Sequence, residues 1–491
     1  MAITPLNIII FLIVLLLFIL AFMLFRSLRY ARQLEPVEMV EAIEVDAGKV
    51  AQNLAGALRF PTVSVQDGSI SGYSPFLDQQ RYLEETYPLV HERLQRRRIM
   101  DYSLLYIWQG TDSSLEPIVL MAHQDVVPVE ESDLPEWEHP PFDGVIADNF
   151  IWGRGAVDLK GQMIALLEAV EHLLAEDFKP ERTVYLAFGH DEEIGGSGAK
   201  EIAHFLNDQG IHPAAVLDEG SFAVGGILPG LTEPVGLVGI GEKGSMILQL
   251  SVDSDPGHSA TPPRETAIGI LAKALAFVEA APQPSNLAPA KMLFRGLGPL
   301  LPFGMQFALA NSWLFGGVVR KNLEKHPVTY AMIHTTSAPT IIKAGFKDNV
   351  LPSRATALVN FRLMPGDSIA AVCERVRKII DDERVKFEPL PGFISEPSTF
   401  SSTESPQYNA LTRTIREMLN GIVVAPSLVV FGTDARNYHA FCDNVYRFSP
   451  IILDPEDRKR VHGNNERIEV DALALMVQFY ARLIQVWGGQ L

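Results

Sequence analysis

The chain has 491 residues, of which 47% are hydrophobic, and this length and composition are typical of a globular protein of two or three domains. Its 59 acidic and 41 basic residues give a formal net charge of −18, which argues against nucleic acid or an anionic membrane surface as the main partner. With only Cys373 and Cys442, it has neither a disulfide framework nor a cysteine-based metal site.

The N-terminal region contains 18 consecutive apolar residues, 8–25. As a helix they would span about 27 Å, close to the thickness of the bilayer hydrocarbon. A signal-peptide core is usually shorter, about 7–15 residues, and this one has no basic start and no A-x-A site after it. The sequence therefore predicts an uncleaved, single-pass membrane anchor. Arg26, Arg29 and Arg32 favour a cytoplasmic main domain, but large domains can override that rule, so the side of the membrane stays open.

After a polar connector, residues 33–57, predicted to be helical, strands and helices alternate. The predicted strands are 117–125, 183–189 and 214–220, and residues 162–174 show helical apolar spacing. This alternation predicts an α/β fold with a mainly parallel sheet covered by helices on both faces.

The pattern changes near residue 245. Two strands that alternate like half-exposed ones, 246–253 and 355–363, flank a helix at 265–280, and the α/β pattern resumes after residue 393 with helices at 409–419 and 472–487. We expect an α+β domain inserted in the α/β domain. The predicted organisation is an anchor and flank at 1–32, a catalytic domain at 33–244 and 394–491, and the insertion at 245–393.

Two stretches of this region need separate interpretation. Residues 292–319 are unusually apolar and rich in glycine, which is typical of domain core or a packed flap, or of a surface for apolar substrates or membrane. Residues 239–244, GIGEKG, match G-x-G-x-x-G, but a strand-like run follows where a dinucleotide site requires a helix. Dinucleotide binding is therefore rejected.

Candidate metal ligands follow several predicted strands or precede helices. They are His123, Asp125, Asp158, the adjacent pair Glu192 and Glu193, Asp218 and, far downstream, His462. Ligands of open α/β sheets bind beyond the carboxyl ends of the strands, so these groups are placed to converge. The mixture of imidazole nitrogen and carboxylate oxygen suits Zn²⁺, with Mn²⁺ or Co²⁺ as substitutes.

The adjacent glutamates of GHDEEIGG, residues 189–196, favour two metal ions over one. A bridging carboxylate can hold two ions about 3.5–4 Å apart around a shared water. Because the backbone turns at the end of a strand, one glutamate can bind metal while the other accepts the proton of that water and passes it to the leaving nitrogen.

These residues lie in motifs that resemble the co-catalytic dizinc peptidase family of aminoacylase, carboxypeptidase S and glutamate carboxypeptidase. The motifs are MAHQDVVP, GRGAVDLKG, GHDEEIGGSGA, LDEG, PGHSATPP and RVHGNNE, within residues 45–488. IKAGFKDNVLP, VNFRLMPG and PEDRKRVHGNNE are similar to the carboxypeptidase S branch, and within it to enzymes that condense or hydrolyse N-fatty-acyl amino acids. The resemblance implies that the inserted domain is a lid and a surface for homodimerisation.

The resemblance also implies a role for each metal ligand. Carried over residue by residue, His123 and Asp218 bind one zinc, Glu193 and His462 bind the other, and Asp158 bridges the two. It makes Glu192 the general base, and Asp125 the residue that orients His123.

Three lid residues receive roles in the same way. His258 would polarise the scissile carbonyl or stabilise its oxyanion, Asn349 would contact the substrate, and Arg362 would clamp its free carboxylate. From the residues alone, each also has a structural interpretation. His258 could be a turn residue, Asn349 could form an Asx turn, and Arg362 could form an ion pair on a strand face.

The sequence thus predicts a membrane-anchored dizinc amidohydrolase that cleaves, and reversibly forms, the amide bond of N-acyl amino acids with long acyl chains. The alternative within this class is a di- or tripeptide carboxypeptidase. The alternative from a different class is an inactive, membrane-tethered binding protein.

Overall fold

The computed structural model describes residues 5–30, 36–65, 73–226, 233–391 and 394–489. The helices are α1 Pro5–Leu28, α2 Ala47–Leu58, α3 Ser74–Thr86, α4 Pro88–Arg93, α5 Lys160–Ala175, α6 Ser197–Asp208, α7 Ala267–Ala280, α8 Ala288–Gly296, α9 Phe303–Ala310, α10 Ser312–Leu323, α11 Pro327–Ala331, α12 Ile369–Ile380, α13 Pro406–Met418, α14 Asp457–Arg460 and α15 Val470–Trp487. The strands are β1 Gln95–Ile99, β2 Ser103–Trp108, β3 Ile118–His123, β4 Val145–Ala147, β5 Phe150–Trp152, β6 Val184–Gly189, β7 Ala215–Asp218, β8 Ala223–Val224, β9 Val235–Glu242, β10 Gly244–Asp253, β11 Gly257–His258, β12 Thr336–Ala344, β13 Val350–Leu351, β14 Arg354–Leu363, β15 Val385–Pro389, β16 Val423–Val429, β17 Val445–Arg447, β18 Ile452–Leu453 and β19 Arg467–Glu469.

The predicted catalytic domain is built on one large sheet in the order β1-β2-β6-β3-β7-β17-β9-β8-β18, with β16 also paired to β9. Strands β6, β3, β7 and β17 are parallel to one another, whereas β1, β2 and β8 join through antiparallel pairs. The α/β class is confirmed. The sheet is mixed, with parallel pairing concentrated at its centre, because short connections such as that between β1 and β2 can only form antiparallel hairpins.

The central strands are continuous apolar runs because both of their faces are covered. Every residue of β3 and of β6 is buried, and α5 and α15 pack on one side of the sheet. Within the described part of the connector, residues 36–57, the helix begins after Asp46, which caps α2 by accepting a hydrogen bond from the Lys49 N–H at 3.0 Å. Residues 36–46 are not helical, which corrects the prediction for that part.

The inserted domain, predicted to be a lid, has a sheet and a hydrophobic core of its own. Its strands run in the order β12-β14-β10-β15, and α7 and α12 pack over them. Both helices begin at side-chain caps, Thr266 and Ser368, which accept from the backbone N–H groups of Gly269 and Ala371. Strand β10 begins at Gly244, the last residue of GIGEKG, so the motif leads into a strand, in agreement with the rejection of a dinucleotide site.

The apolar segment that contains α8–α11 lies inside the lid in the chain but packs on the catalytic domain. Leu293, Phe294 and Leu297 are buried against β9 and β16. The expectation of packed core is therefore confirmed for the side of the segment that faces β9 and β16. It does not hold for the other side of α9 and α10, where large apolar side chains are exposed.

Helix α1 is long and apolar enough to cross a membrane, and among the described residues it alone meets that test. Most of its side chains are exposed, but Met23 and Ser27 near its C-terminal end are buried. Asn311 covers them there, since its side-chain amide donates to the Met23 carbonyl and to the Ser27 hydroxyl, each at 3.2 Å. The end of α1 thus packs against the junction of α9 and α10.

Candidate active site and metal centre

The candidate site lies at the carboxyl ends of the parallel strands. His123 is the last residue of β3, and Glu192 and Glu193 begin a short 3₁₀ helix that follows β6. Asp158 lies in the turn before α5, and His462 in the loop after α14. The topology therefore brings together residues more than 300 positions apart, as expected from the placement of ligands beyond strand ends.

Asp125 orients both His123 and the glutamate pair. Its Oδ1 is 3.3 Å from His123 Nδ1, and its side chain is fully buried. The backbone N–H groups of Glu192 and Glu193 each donate to this carboxylate at 3.1 Å, and the Ser64 hydroxyl donates to it at 2.6 Å. One buried carboxylate thus fixes the imidazole and the turn that carries both glutamates.

Asp158 lies between the two histidines. Its Oδ1 is 3.1 Å from His123 Nε2, and its Oδ2 is 2.9 Å from His462 Nε2. Burial would raise the pKa of the Asp158 carboxyl, but hydrogen bonds and charge from both histidines hold it well below its usual value. Each oxygen faces a different imidazole, which is the arrangement that a bridging carboxylate requires.

The two glutamates have different neighbours. Glu193 Oε1 is 3.2 Å from His462 Nε2, whereas Glu192 groups with His123 and Glu219. The chain turns directly after them through Gly195 and Gly196, whose φ angles of +126° and +69° other residues rarely adopt.

Asp218 and Glu219 lie at the end of β7 and point to different surroundings. The Asp218 carboxylate accepts a hydrogen bond from the Ala435 N–H at 2.8 Å. The Glu219 carboxylate is 3.6 Å from His123 Nε2 and forms a group with His123 and Glu192 in which all ligand atoms lie within 4.8 Å. The predicted ligand at this strand end was Asp218, but the carboxylate that reaches His123 is that of Glu219. The motif LDEG contains both acids. Its final glycine indicates a turn directly after Glu219, and such a turn could have pointed to Glu219 as the ligand.

The donor set fits metal ions. Glu193 Oε1 is buried, and His462 Nε2 lies 3.2 Å from it. A second group, His123, Asp158 and Glu193, also has its ligand atoms within 4.8 Å. Two overlapping groups of imidazole and carboxylate atoms match the donors that Zn²⁺ prefers.

The pKa shifts of these groups also indicate that the site favours bound positive charge. Burial raises the pKa of the Glu219 carboxyl to about 7, and the charge of Asp158 adds to the rise. Hydrogen bonds to Asp158 and Glu193 raise the pKa of His462 to about 11. Carboxylates held this close in a buried site are stabilised by protons or by cations, and divalent ions supply the larger charge.

Sequence reasoning missed Glu466, the last residue of RVHGNNE. Its fully buried carboxylate accepts from the Val157 and Asp158 N–H groups at 2.9 and 3.1 Å and pairs with Arg154 at 2.7 Å. Arg154 also donates to the His462 carbonyl at 3.3 Å. Glu466 thereby ties the turn that carries Asp158 to the loop that carries His462.

Asp434 was also missed. Its carboxylate is buried with no hydrogen-bond partner among the described residues, and Arg436 is 4.0 Å away. A Cβ on Gly196 would lie 2.0 Å from Asp434 Oδ1, so a glycine is needed for this close approach. Burial, followed by the charge of Asp434, raises the pKa of Glu192 well above its usual value. No motif pattern connected Asp434 to the glutamates, because it lies more than 240 positions downstream of them.

The structure places the three lid residues outside this cluster. His258 on β11 pairs with Val350 on β13, and the Ser259 N–H donates to the Asn349 carbonyl at 3.1 Å, so His258 and Asn349 are neighbours on an exposed part of the lid. Arg362 lies on β14 and is half-buried. Burial, and then the charge of Arg436, lower the pKa of Arg362, so the two guanidinium groups lie within electrostatic reach.

Comparison with known proteins identifies relatives over most of the chain. A family model described as Peptidase family M20/M25/M40 matches residues 119–486. A probable carboxypeptidase S-like protein 2 of Dictyostelium discoideum is 41% identical, with 89% of this chain and 85% of that protein covered. The N-fatty-acyl-amino acid synthase/hydrolase PM20D1 of Xenopus tropicalis is also 41% identical, with 90% and 86% covered.

Solved structures share the fold at low sequence identity. The M20 family metallo-carboxypeptidase Sso-CP2 of Sulfolobus solfataricus superposes with a TM-score of 0.63 at 17% identity, with 89% of this chain and 99% of that one covered. The YXEP protein of Bacillus subtilis, a dinuclear metal-binding peptidase, gives a TM-score of 0.55 at 12% identity, with 90% and 98% covered. These likenesses concern the fold.

Proposed function

The chain belongs to Peptidase family M20/M25/M40, and on this premise we propose that it is a dizinc amidohydrolase that cleaves, and in reverse forms, the amide bond of N-acyl amino acids. The observation that carries the proposal is Asp158, with one oxygen on each of two histidines. The full donor set, together with family membership, argues against an inactive binding protein. The resemblance to the Xenopus enzyme supports the substrate class.

The proposed ligands follow from the geometry. Asp158 would be shared, His123 and Glu219 would complete one metal position, and Glu193 and His462 the other. Metal ions bound there would polarise the scissile carbonyl and lower the pKa of the attacking water. Their identity as zinc rests on the mixture of nitrogen and oxygen donors.

Glu192 is the proposed general base. Its backbone N–H is held by Asp125, so its side chain is free to take a proton from water and deliver it to the leaving nitrogen. Burial, followed by the charge of Asp434, raises the pKa of Glu192, and bound cations would favour the carboxylate that a base must be.

The lid would supply the substrate contacts. Arg436 donates to the Gly195 carbonyl at 3.1 Å, and its charge, after burial, lowers the pKa of Arg362. A planar guanidinium in this position suits the free carboxylate of an acyl amino acid. His258 and Asn349 are proposed to act on the carbonyl and the substrate when the lid closes over the site, and the homodimer through the lid stays a prediction.

Metal analysis together with hydrolysis tests the proposal. Purified protein is expected to contain about two zinc ions per chain and to hydrolyse an N-acyl amino acid, with loss of activity on chelation and recovery with Zn²⁺. Binding of a single ion, or none, would contradict the dinuclear site. Hydrolysis by metal-free protein would contradict the proposed metal-dependent mechanism.

The choice of ligand at the end of β7 gives a separate prediction. Glu219→Gln is expected to lower the metal content towards about one ion per chain, because it removes the carboxylate that faces His123. Asp218→Asn is the matched control, since an amide oxygen can still accept from the Ala435 N–H, and it should keep both ions. Metal content measured by atomic emission distinguishes the two residues. Loss of one ion in Asp218→Asn but not in Glu219→Gln would identify Asp218 as the ligand.

Membrane anchorage by α1 is part of the proposal. The helix has a mean hydropathy of 3.6 over an 18-residue window, and its end is buried under Asn311. A cleaved signal has no need of such packing, which favours a retained anchor. Co-sedimentation with membranes, and an intact N-terminus by mass spectrometry, would test it.

A long acyl chain is the proposed specificity. For acetyl, octanoyl and oleoyl derivatives of one amino acid, kcat/KM is expected to rise with chain length, by about tenfold for every two methylenes buried. The assay uses substrate concentrations below micelle formation. A flat profile, with higher kcat/KM for dipeptides of the same C-terminal residue, would favour the carboxypeptidase alternative that the Dictyostelium relative suggests.

A further inference from the structure

Helices α9 and α10 expose large apolar side chains on the side that faces away from the catalytic domain. Trp313 is 59% exposed, and the others are about half exposed. The group, termed here the α9–α10 face, consists of Phe303, Met305, Trp313, Leu314 and Val318. Leu309 and Leu323 of the same helices are buried against the catalytic domain, so the helices are apolar on both sides. Helices of this kind are stable when both sides are covered.

The α9–α10 face adjoins the proposed membrane anchor. Asn311, between the two helices, donates to the Met23 carbonyl and the Ser27 hydroxyl in the last turns of α1. Met23 is three residues before Arg26, or about 4.5 Å along the helix axis. Because arginines that flank a membrane helix lie among the headgroups, the contact places α9 and α10 at the level where α1 leaves the hydrocarbon.

The charges of the surrounding segment fit a lipid surface. Residues 288–323 contain four charged side chains, Lys291, Arg295, Arg320 and Lys321, and all are basic. This is notable in a chain with 59 acidic residues and a net charge of −18. A basic, apolar segment that exposes a tryptophan has the composition of elements that lie in the membrane interface.

We propose that the α9–α10 face is embedded in the interfacial layer of the bilayer beside α1, so that the protein is held to the membrane at two elements. The first consequence is a fixed tilt of the catalytic domain relative to the bilayer, since two membrane contacts define that tilt more tightly than one helix does. The second is a short path for amphiphilic substrates from the bilayer to the site. This inference rests on the proposed anchorage by α1 and is independent of the hydrolytic reaction.

Quenching of Trp313 fluorescence by brominated lipids tests the inference. The other tryptophans, Trp108, Trp137, Trp152 and Trp487, are buried in the catalytic domain, which makes Trp313 the accessible one. In full-length protein reconstituted in phosphatidylcholine vesicles, we expect bromine at shallow acyl positions to remove a large share of the emission, and deep bromine a smaller share. The quenched part should disappear in Trp313→Phe.

A relocated tryptophan is the matched control. Trp313→Phe combined with Leu77→Trp places an exposed indole on α3, away from the α9–α10 face, and its emission should not respond to brominated lipid. Hydrolysis of a soluble acetyl substrate in the same samples reports on the active site separately.

The outcomes separate the proposals. If the protein does not float with the vesicles, the proposed anchorage by α1 is wrong, and so is the inference that rests on it. Protein that floats while Trp313 stays unquenched would overturn the inference and leave the anchor intact. Unquenched but blue-shifted emission, with concentration-dependent cross-linking, would mean that a second copy covers the face. Loss of acetyl hydrolysis with normal quenching would concern the enzyme mechanism and leave the membrane contact supported.

Discussion

Glu192→Gln is expected to lower kcat by about 10²–10⁴-fold while the metal content stays at about two ions per chain. The substitution removes the proton acceptor but keeps the shape of the side chain. The turn itself should be preserved, because Asp125 holds it through the backbone N–H groups of residues 192 and 193. Steady-state hydrolysis of an N-acyl amino acid and metal analysis on the same preparation measure the two quantities.

Glu201→Gln is a suitable control for this variant. Glu201 lies on α6, a few residues further along the chain, and its side chain is about half exposed. The same chemical change there should leave activity and stability close to wild type. Full activity in Glu192→Gln would show that another group is the base, and loss of one metal ion would show that Glu192 is a ligand.

Asp158→Ala is expected to abolish metal binding at both positions and to reduce activity at least as far as Glu192→Gln does. The residue contacts both histidines, so its loss removes the shared ligand. Of the described carboxylates, His123 would keep only Asp125 and Glu219 nearby, and His462 only Glu193. Stability of the metal-loaded form should fall as well, since bound metal stabilises the folded state by mass action. Metal content and thermal unfolding with and without Zn²⁺ are the measurements.

Asp148→Ala is a control for this substitution. Asp148 lies ten residues earlier, in the exposed turn between β4 and β5. It should keep both ions and the stabilisation by Zn²⁺. Retention of two ions in Asp158→Ala would mean that the metals are not bridged by this residue, and the pairing of ligands would need to be redrawn.

The sequence by itself determined the fold class and most of the side chains that cluster beyond the strand ends. Buried strands such as β3 and β6 are unbroken apolar runs, and a histidine or acidic residue directly after such a run is conspicuous. The rule that ligands bind beyond the carboxyl ends of strands then predicts convergence without any coordinates. His123, Asp158, Glu193 and His462 are indeed neighbours in space.

Tertiary structure alone decided which acid at the end of β7 faces His123. Adjacent residues at a strand end point in different directions, and which one reaches the site depends on where the backbone turns. Asp218 is satisfied by the Ala435 N–H, which comes from a segment more than 200 residues later. No local pattern contains that information.

The same reason applies to Glu466, Asp434 and the apolar segment. Glu466 and Asp434 act through partners that are distant in the chain, so their roles follow from packing and not from spacing. The segment of α8–α11 has an apolar composition that fits core, substrate surface and membrane equally. Only its contacts, with β9 and β16 on one side and with the end of α1 at Asn311, separate the buried side from the exposed one, because burial is a property of the folded neighbours and not of the side chain itself.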